Sequence, residues 1–264
     1  MKIDLSGKSA VVSGSTAGIG YAIVKGLAEA GAAVVVNGRT EERTREAAAR
    51  LTTEVPGAHV TCIPGDLSRP DGLSRFIDEV PDTDILVNNV GIFEAKPFLE
   101  IPDEDWERFF QVNVMSGVRL TRHYLPGMVL RGWGRIVFIS SESGVQIPSE
   151  MVHYGMTKTA QLALSRGIAE SIAGTGVTVN AVLPGPTRSE GVEGFLAAMA
   201  ASQGASREQF EADFVKTHRP SSLIRRIAEV EEVANMVVYV CSEQASATTG
   251  AALRVDGGIV RSIV

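Results

Sequence analysis

Residues 9–20, SAVVSGSTAGIG, begin as an apolar run and end in three glycines spaced G-x-x-x-G-x-G. An apolar run without polar alternation is the pattern of a strand buried on both faces. Glycines at its end let the backbone turn tightly and approach a ligand closely. A helix starting near Gly18 then aims free N–H groups and a partial positive charge at whatever lies beyond the turn, and a pyrophosphate suits that position. A plain tight strand-to-helix turn would read the same way, so the rest of the chain has to decide.

Six further runs repeat the strand pattern: AAVVVN (32–37), HVTCIP (59–64), DILVNN (84–89), RIVFIS (135–140), VTVNAV (177–182) and ALRVDG (252–257). Helix-like stretches separate them, near 18–30, 40–53, 70–79, 103–131, 151–173 and 229–242. Thr40 followed by Glu41 and Glu42 suits a helix start, through its side-chain oxygen and two acids at the exposed N–H end. This alternation predicts an α/β fold, a doubly wound parallel sheet with right-handed crossovers. With no linker or repeat, one domain is expected over residues 1–264. The stretch 188–222 interrupts the alternation, and a long excursion in a compact domain reads as a substrate lid or binding loop.

The chain has 264 residues, 44% hydrophobic and 21% charged, with a net charge of −6. That balance, without a Lys/Arg cluster, argues against nucleic acid or an anionic membrane as partner. The first residues, MKIDLSGKSAVV, lack a long apolar stretch, so no signal peptide is expected. No run reaches the ~18 apolar residues of a membrane span. Cys62 and Cys241 stand far apart, are expected to be buried, and suggest a reducing, cytoplasmic setting.

Ligands of open parallel sheets bind outside the carboxyl ends of the strands. On that rim this chain places Gly14, Ser15, Thr16, Gly18, Ile19 and Gly20, then Gly38-Arg39, Gly65-Asp66-Leu67, Asn88-Asn89-Val90-Gly91, Ser140-Ser141 and Pro184-Gly185-Pro186-Thr187. Where an acid would hold an unphosphorylated ribose, Arg39 offers a planar fork of donors to a 2′-phosphate. This favours NADP(H) and leaves NAD(H) open, because Arg39 also reads as a solvated residue at a helix start.

Tyr154 and Lys158 stand four apart in the helical stretch MVHYGMTKTA (151–160), so they share a face. An ammonium beside a phenol lowers its pKa, which would let Tyr154 exchange a proton near neutral pH. A surface tyrosine beside a surface lysine is the plain alternative. Ser141, with Ser140 as competitor, could hydrogen-bond a carbonyl oxygen; either serine also suits ordinary turn chemistry. Trp106, Phe109, Phe110, Asn113 and Gly117 form one helical stripe in which a buried Asn must find partners, either a water leading to Lys158 or purely structural groups. His153 and His123 show no catalytic pattern. There is no Gly-x-Ser-x-Gly elbow and no metal-ligand spacing.

In order along the chain, SGSTAGIG (13–20), GDL (65–67), NNVG (88–91), Asn113, Ser141, YGMTK (154–158), LPGPT (183–187) and VDGG (255–258) resemble the short-chain dehydrogenase/reductases, in their compact single-domain branch. The likeness spans nearly the whole chain and extends to the 3-oxoacyl-[acyl-carrier-protein] reductases. It implies a seven-stranded Rossmann sheet, a nicotinamide cofactor and a homodimer or homotetramer packed through helices 103–131 and 151–173. It implies a catalytic tetrad of Asn113, Ser141, Tyr154 and Lys158, in which Tyr is acid/base, Ser orients the substrate oxygen, Lys lowers the Tyr pKa and holds the nicotinamide ribose, and Asn anchors a relay water. Asp66 and Leu67 resemble adenine contacts, Asn89 and Gly91 line the cofactor path, and Pro184, Gly185 and Thr187 resemble the nicotinamide-amide turn. Ser13, Val90 and Ser189 depart from the family pattern, outside the tetrad.

The expected activity is hydride transfer between NADP(H), or NAD(H), and a small-molecule carbonyl or secondary alcohol, with a 3-oxoacyl thioester among the candidates. A non-catalytic dinucleotide sensor or scaffold of the same fold is the alternative. The substrate pocket is expected to draw on Phe93, Val145, Gln146, Ile147, Met151 and the 188–222 stretch, including Phe195, Leu196 and Met199.

Overall fold

The computed structural model describes residues 2–194 and 215–263. Seven parallel strands form one sheet in the order β3-β2-β1-β4-β5-β6-β7. They are β1 (Ser9–Val12), β2 (Ala33–Gly38), β3 (Val60–Pro64), β4 (Ile85–Asn88), β5 (Gly134–Ile139), β6 (Val177–Pro184) and β7 (Ala252–Val255). The order reverses between β1 and β4, where loops leaving adjacent strands diverge and open the crevice typical of such sheets. Every residue of β4, β5 and β6 is buried. That matches the reading of their unbroken apolar runs, whereas the edge strands β3 and β7 are half-exposed.

Two apolar layers sandwich the sheet. On one face Ile23, Val24 and Leu27 of α1 (Gly18–Glu29), Ala47 and Leu51 of α2 (Glu41–Glu54), and Val233, Val237 and Val240 of the last helix pack together. On the other, Leu73 and Phe76 of α3 (Pro70–Glu79) meet Leu120, Tyr124 and Met128 of α5 (Ser116–Arg131) and Ala169 of α6 (Val152–Ser171). The last helix, α7 (Val230–Val240), begins with a capping box between Glu229 and Glu232. Each fully buried Leu, Ile or Phe contributes roughly 1.5–3 kcal/mol.

Local details correct four expectations. Thr40 is the N-cap of α2, but its side chain makes no cap hydrogen bond, so only Glu41 and Glu42 serve the helix start. The stretch 103–131 is not one α-helix: α4 (Asp103–Phe110) passes into a π-turn, Gln111–Met115, before α5. The aromatic stripe is also incomplete, because Phe109, Asn113 and Gly117 are buried while Phe110 is 39% exposed. Cys241 is buried and its thiol is pushed up to about 12 by burial; Cys62, on an edge strand, is only partly buried.

Candidate active site

The glycine turn is built by packing as much as by its own conformation. Gly14 and Gly18 have φ of 64° and 55°, in the left-handed region that favours glycine. A Cβ on Gly20 would lie 2.4 Å from the Gly14 carbonyl oxygen and 2.5 Å from Asn89 Nδ2. Asn89 Nδ2 donates to the main-chain oxygens of Ser13 and Gly14, both at 3.0 Å. Ser13 Oγ in turn accepts from the main-chain N–H groups of Asn89 and Val90. The hydroxyl retained at Ser13 thus fastens the end of β1 to the end of β4.

Asn37 fastens the other side. Its Nδ2 donates to Ile63 O and Gly65 O, and its Oδ1 accepts from Gly14 N. Ser15 is fully buried, donating to Val12 O and accepting from Asn37 N. Its hydroxyl is therefore committed inside the turn, and only its neighbours present backbone outward. The N-terminus of α1 has no side-chain cap and no acid in its first turn. Its first residues, with Ala17 before them, line a cavity through Gly18, Ile19 and Gly20, and the unpaired N–H groups of a helix start make that wall fit a pyrophosphate. Gly38 is required by approach, since a Cβ there would meet Thr16 Cγ2 at 2.4 Å. Arg39, just beyond, is exposed. Asp66 is half-buried, with Oδ1 accepting from Ser68, and Leu67 is buried in the core beside it.

That cavity, of about 320 Å³, continues past Asn89 and Gly91 to Ser141, Tyr154, Lys158, Pro184, Gly185 and Thr187. Glycine turn, Tyr–Lys pair and the turn after β6 are thus brought to one hollow. Gly185 is tight because Asp256 packs on it, 3.0 Å from where a Cβ would stand. Asp256 accepts from Gly258 N and Val260 N, which accounts for the VDGG stretch. Gly14, Thr16, Arg39, Asp66 and Leu67 lie off this cavity, towards β2 and β3.

Ser140 and Ser141 separate by hydrogen bonding. Ser140 Oγ donates to Lys158 O at 2.8 Å and ties β5 to α6. Ser141 Oγ donates to Glu142 Oε2 and accepts from Ser143 N at 3.1 Å. Glu142 is itself buried, and Arg219 Nε donates to its Oε1 at 3.0 Å. Both line the cavity, although neither stands out in the sequence. Glu142 was detectable only as a charge beside Ser141; Arg219 carried no local signal.

Lys158 is 4% exposed, and its Nζ donates to Ile139 O at 2.9 Å and Gln161 Oε1 at 3.3 Å. It stands 5.6 Å from the centroid of the Tyr154 ring. Burial pushes its pKa down from 10.5 to about 7. Tyr154 is pushed above the usual phenol range, first by burial, against the pull of its side-chain contact with Ser141. The expected lowering of the phenol by the ammonium is thus not what the protein groups alone produce. For both residues burial is the leading cause, and it disfavours the charged form.

The π-turn carries Asn113 into this wall. Its Oδ1 accepts from Ile92 N at 2.7 Å, and its Nδ2 donates to Ile92 O and Thr157 Oγ1, both at 2.9 Å. Its main-chain oxygen accepts from Gln161 Nε2 at 2.6 Å. Protein groups thus satisfy the Asn113 side chain. Gln161 was missed, although it lies at i+3 from Lys158 on the same helix face. His153 is buried against Phe109 and Trp106, away from the cavity, and His123 Nε2 lies 3.1 Å from Pro81 O.

Of the expected substrate-side residues, Phe93 and Met151 line the cavity; Val145, Gln146 and Ile147 do not, and Val145 and Ile147 are 47% exposed. The ends of 188–222 do contribute, through Ser189, Glu190, Gly191 and Val192 at one end and Arg219 at the other. Ser189 sits over Gly18, its Cβ 3.0 Å from where a Gly18 Cβ would be. Phe195, Leu196 and Met199 lie outside the described residues. Among the described residues no group of acids, His and Cys could hold a metal ion.

A reversed-order parallel sheet with a glycine cradle and a Tyr–Lys pair on one crevice defines a nucleotide-dependent oxidoreductase. The chain belongs to the short-chain dehydrogenase/reductase family: residues 14–260 match the family model described as Enoyl-(Acyl carrier protein) reductase. It is 48% identical over 263 residues to the Bacillus subtilis oxidoreductase YvaG, covering 100% of both chains. It is 33% identical over 263 residues to the 3-oxoacyl-[acyl-carrier-protein] reductase FabG of Aquifex aeolicus, covering 98% of this chain and all of that one. The solved structure of L-sorbose reductase from Gluconobacter frateurii, in complex with NADPH and L-sorbose, superposes with a TM-score of 0.93 at 32% identity, over 100% of both chains.

Proposed function

We propose that Asn113, Ser141, Tyr154 and Lys158 carry out NADP(H)-dependent interconversion of a carbonyl and a secondary alcohol. The observation that carries this reading is the single cavity joining the α1 N-terminus to Ser141, Tyr154 and Lys158. The cofactor supplies or accepts a hydride at the substrate carbon. The uncapped start of α1 holds its pyrophosphate, and Arg39 meets its 2′-phosphate. Gly185 and Thr187 form the wall beside its nicotinamide end, with the Thr187 hydroxyl held to Gly185 O.

Tyr154 gives its proton to the substrate oxygen or takes it back. Ser141 must turn its hydroxyl from Glu142 to donate to that oxygen. Lys158 supplies positive charge beside the phenol, and Asn113 holds the wall through Ile92 and Thr157. Ile92, Phe93, Met151 and Val192 form the apolar side of the substrate space, and Ser143 and Arg219 the polar side. The ends of 188–222 act as the rim of a substrate lid. NADPH-bound L-sorbose reductase and the reductase FabG support a ketone, a ketose or a 3-oxoacyl thioester as substrate.

Two free cysteines agree with a reducing, cytoplasmic setting, and no described helix is long and apolar enough to cross a membrane. Exposed Phe98, Leu99, Phe110, Leu130 and Met156 support a homo-oligomer, dimer or tetramer.

The test is a panel of ketones, ketoses and 3-oxoacyl thioesters with NADPH, repeated with Tyr154→Phe. The variant should bind NADPH almost as tightly and lose at least about 100-fold in turnover. Equal turnover would remove Tyr154 from the chemistry.

A further inference from the structure

Gln161 is 2% exposed and spans two groups of the site: its Nε2 donates to Asn113 O at 2.6 Å, and its Oε1 accepts from Lys158 Nζ at 3.3 Å. The amide has one workable orientation here. Turned over, it would set its NH₂ against the ammonium and its oxygen against a carbonyl. Asn113 O is available on this side because the π-turn displaces the backbone ladder, with Ser116 N donating to Gln111 O.

We propose that Gln161 is a positioning residue for the reaction. Its amide fills the space between Asn113 O and Lys158 Nζ, aims the ammonium along the cavity wall, and stabilises its charge without a water between them. Only the placing of Lys158 in the reaction rests on the function proposed above. An amide neither takes up nor releases a proton near neutral pH, so this side of Lys158 is a fixed electrostatic contact rather than a proton route.

No carboxylate contacts Lys158 among the described residues. Tyr154 faces it on its own helix, and Ile139 contributes only a carbonyl. Glu142, from the loop after β5, and Arg219, beyond it, share the cavity but pair with each other. The π-turn offers no titratable group, and His153 packs on Phe109. The Gln161 oxygen is therefore the side-chain acceptor of the ammonium, and changing it should change how readily Lys158 holds its proton.

The decisive measurement is an NMR titration of isotope-labelled Lys158 in the protein alone, in wild type, Gln161→Glu and Gln161→Met. A carboxylate at that distance should raise the titration midpoint by about one pH unit or more, and a thioether should lower it by about half a unit. Gln161→Met should also lower kcat several-fold, with the KM for NADPH nearly unchanged. Midpoints that coincide in all three proteins would overturn the inference. A general packing defect would lower stability while leaving the midpoint in place. If Gln161→Met fails to fold, Gln161→Glu, of the same size, decides alone. Should the midpoints move while the wild type reduces no carbonyl with NADPH, the proposed function fails and the Gln161 contact stands.

Discussion

The nucleotide half of the crevice and the substrate half are built in opposite ways. The first is mostly backbone: glycines at Gly14, Gly18 and Gly20, held by the amides of buried Asn37 and half-buried Asn89, with charges at exposed Arg39 and half-buried Asp66. The second is mostly buried polar side chains from distant elements: Ser141 and Glu142 after β5, Lys158 and Gln161 on α6, Asn113 on the π-turn and Arg219 far along the chain. Preformed N–H groups can hold a phosphate without burying a charge in the protein itself. Acid–base work needs ionisable groups out of water, and that opposes folding.

Lys158→Met tests this contrast most strongly. Turnover should fall by about 100-fold or more. Stability should move the other way. The Lys158 pKa falls from 10.5 to about 7 on folding, so below pH 7 the folded chain bears the whole cost of burying the ammonium. That cost, on the order of 4–5 kcal/mol at most, fades between pH 7 and 10.5 as the neutral form takes over. Melting curves should therefore show the variant more stable than wild type at pH 6, with the gap closing by pH 10. A variant less stable than wild type at pH 6 would break the contrast.

Gly20→Ala probes the backbone half. Its Cβ would fall on backbone and on Asn89, so overpacking should weaken NADPH binding by about 10- to 100-fold in a fluorescence titration. Arg39→Ala should cost about tenfold in NADPH affinity while leaving NADH almost untouched, since only the 2′-phosphate loses its partner. Equal losses for both nucleotides would show that Arg39 acts on the turn instead. Ser13→Ala should have the smallest effect, about 1 kcal/mol in a denaturant titration, because the two N–H groups that lose their acceptor belong to half-buried residues. Ser13→Thr, which keeps the hydroxyl, should stay near wild type.

How much was legible follows the same division. The strands, the glycine turn and the Tyr154–Lys158 spacing are local patterns, and local patterns survive in one dimension. Between Ser140 and Ser141 the residues alone left the choice open and the family likeness picked Ser141; the fold adds a physical reason, because Ser140 Oγ is spent on Lys158 O. The π-turn inside 103–131 was invisible, since one displaced residue hardly changes a hydrophobic period. Val145 and Ile147 looked like pocket residues by their place after β5, yet both are half-exposed and lie off the cavity.

By itself the sequence determined the doubly wound sheet, its nucleotide rim and the family, because runs of buried Val and Ile and glycine-bearing turns impose backbone geometry on their immediate neighbours. Only the tertiary structure decided the electrostatics of the reaction centre. Burial of Lys158, desolvation of the half-buried Tyr154 phenol, the Glu142–Arg219 pair and the reach of Gln161 to Asn113 O depend on which atoms exclude water, and that depends on segments far apart in the chain.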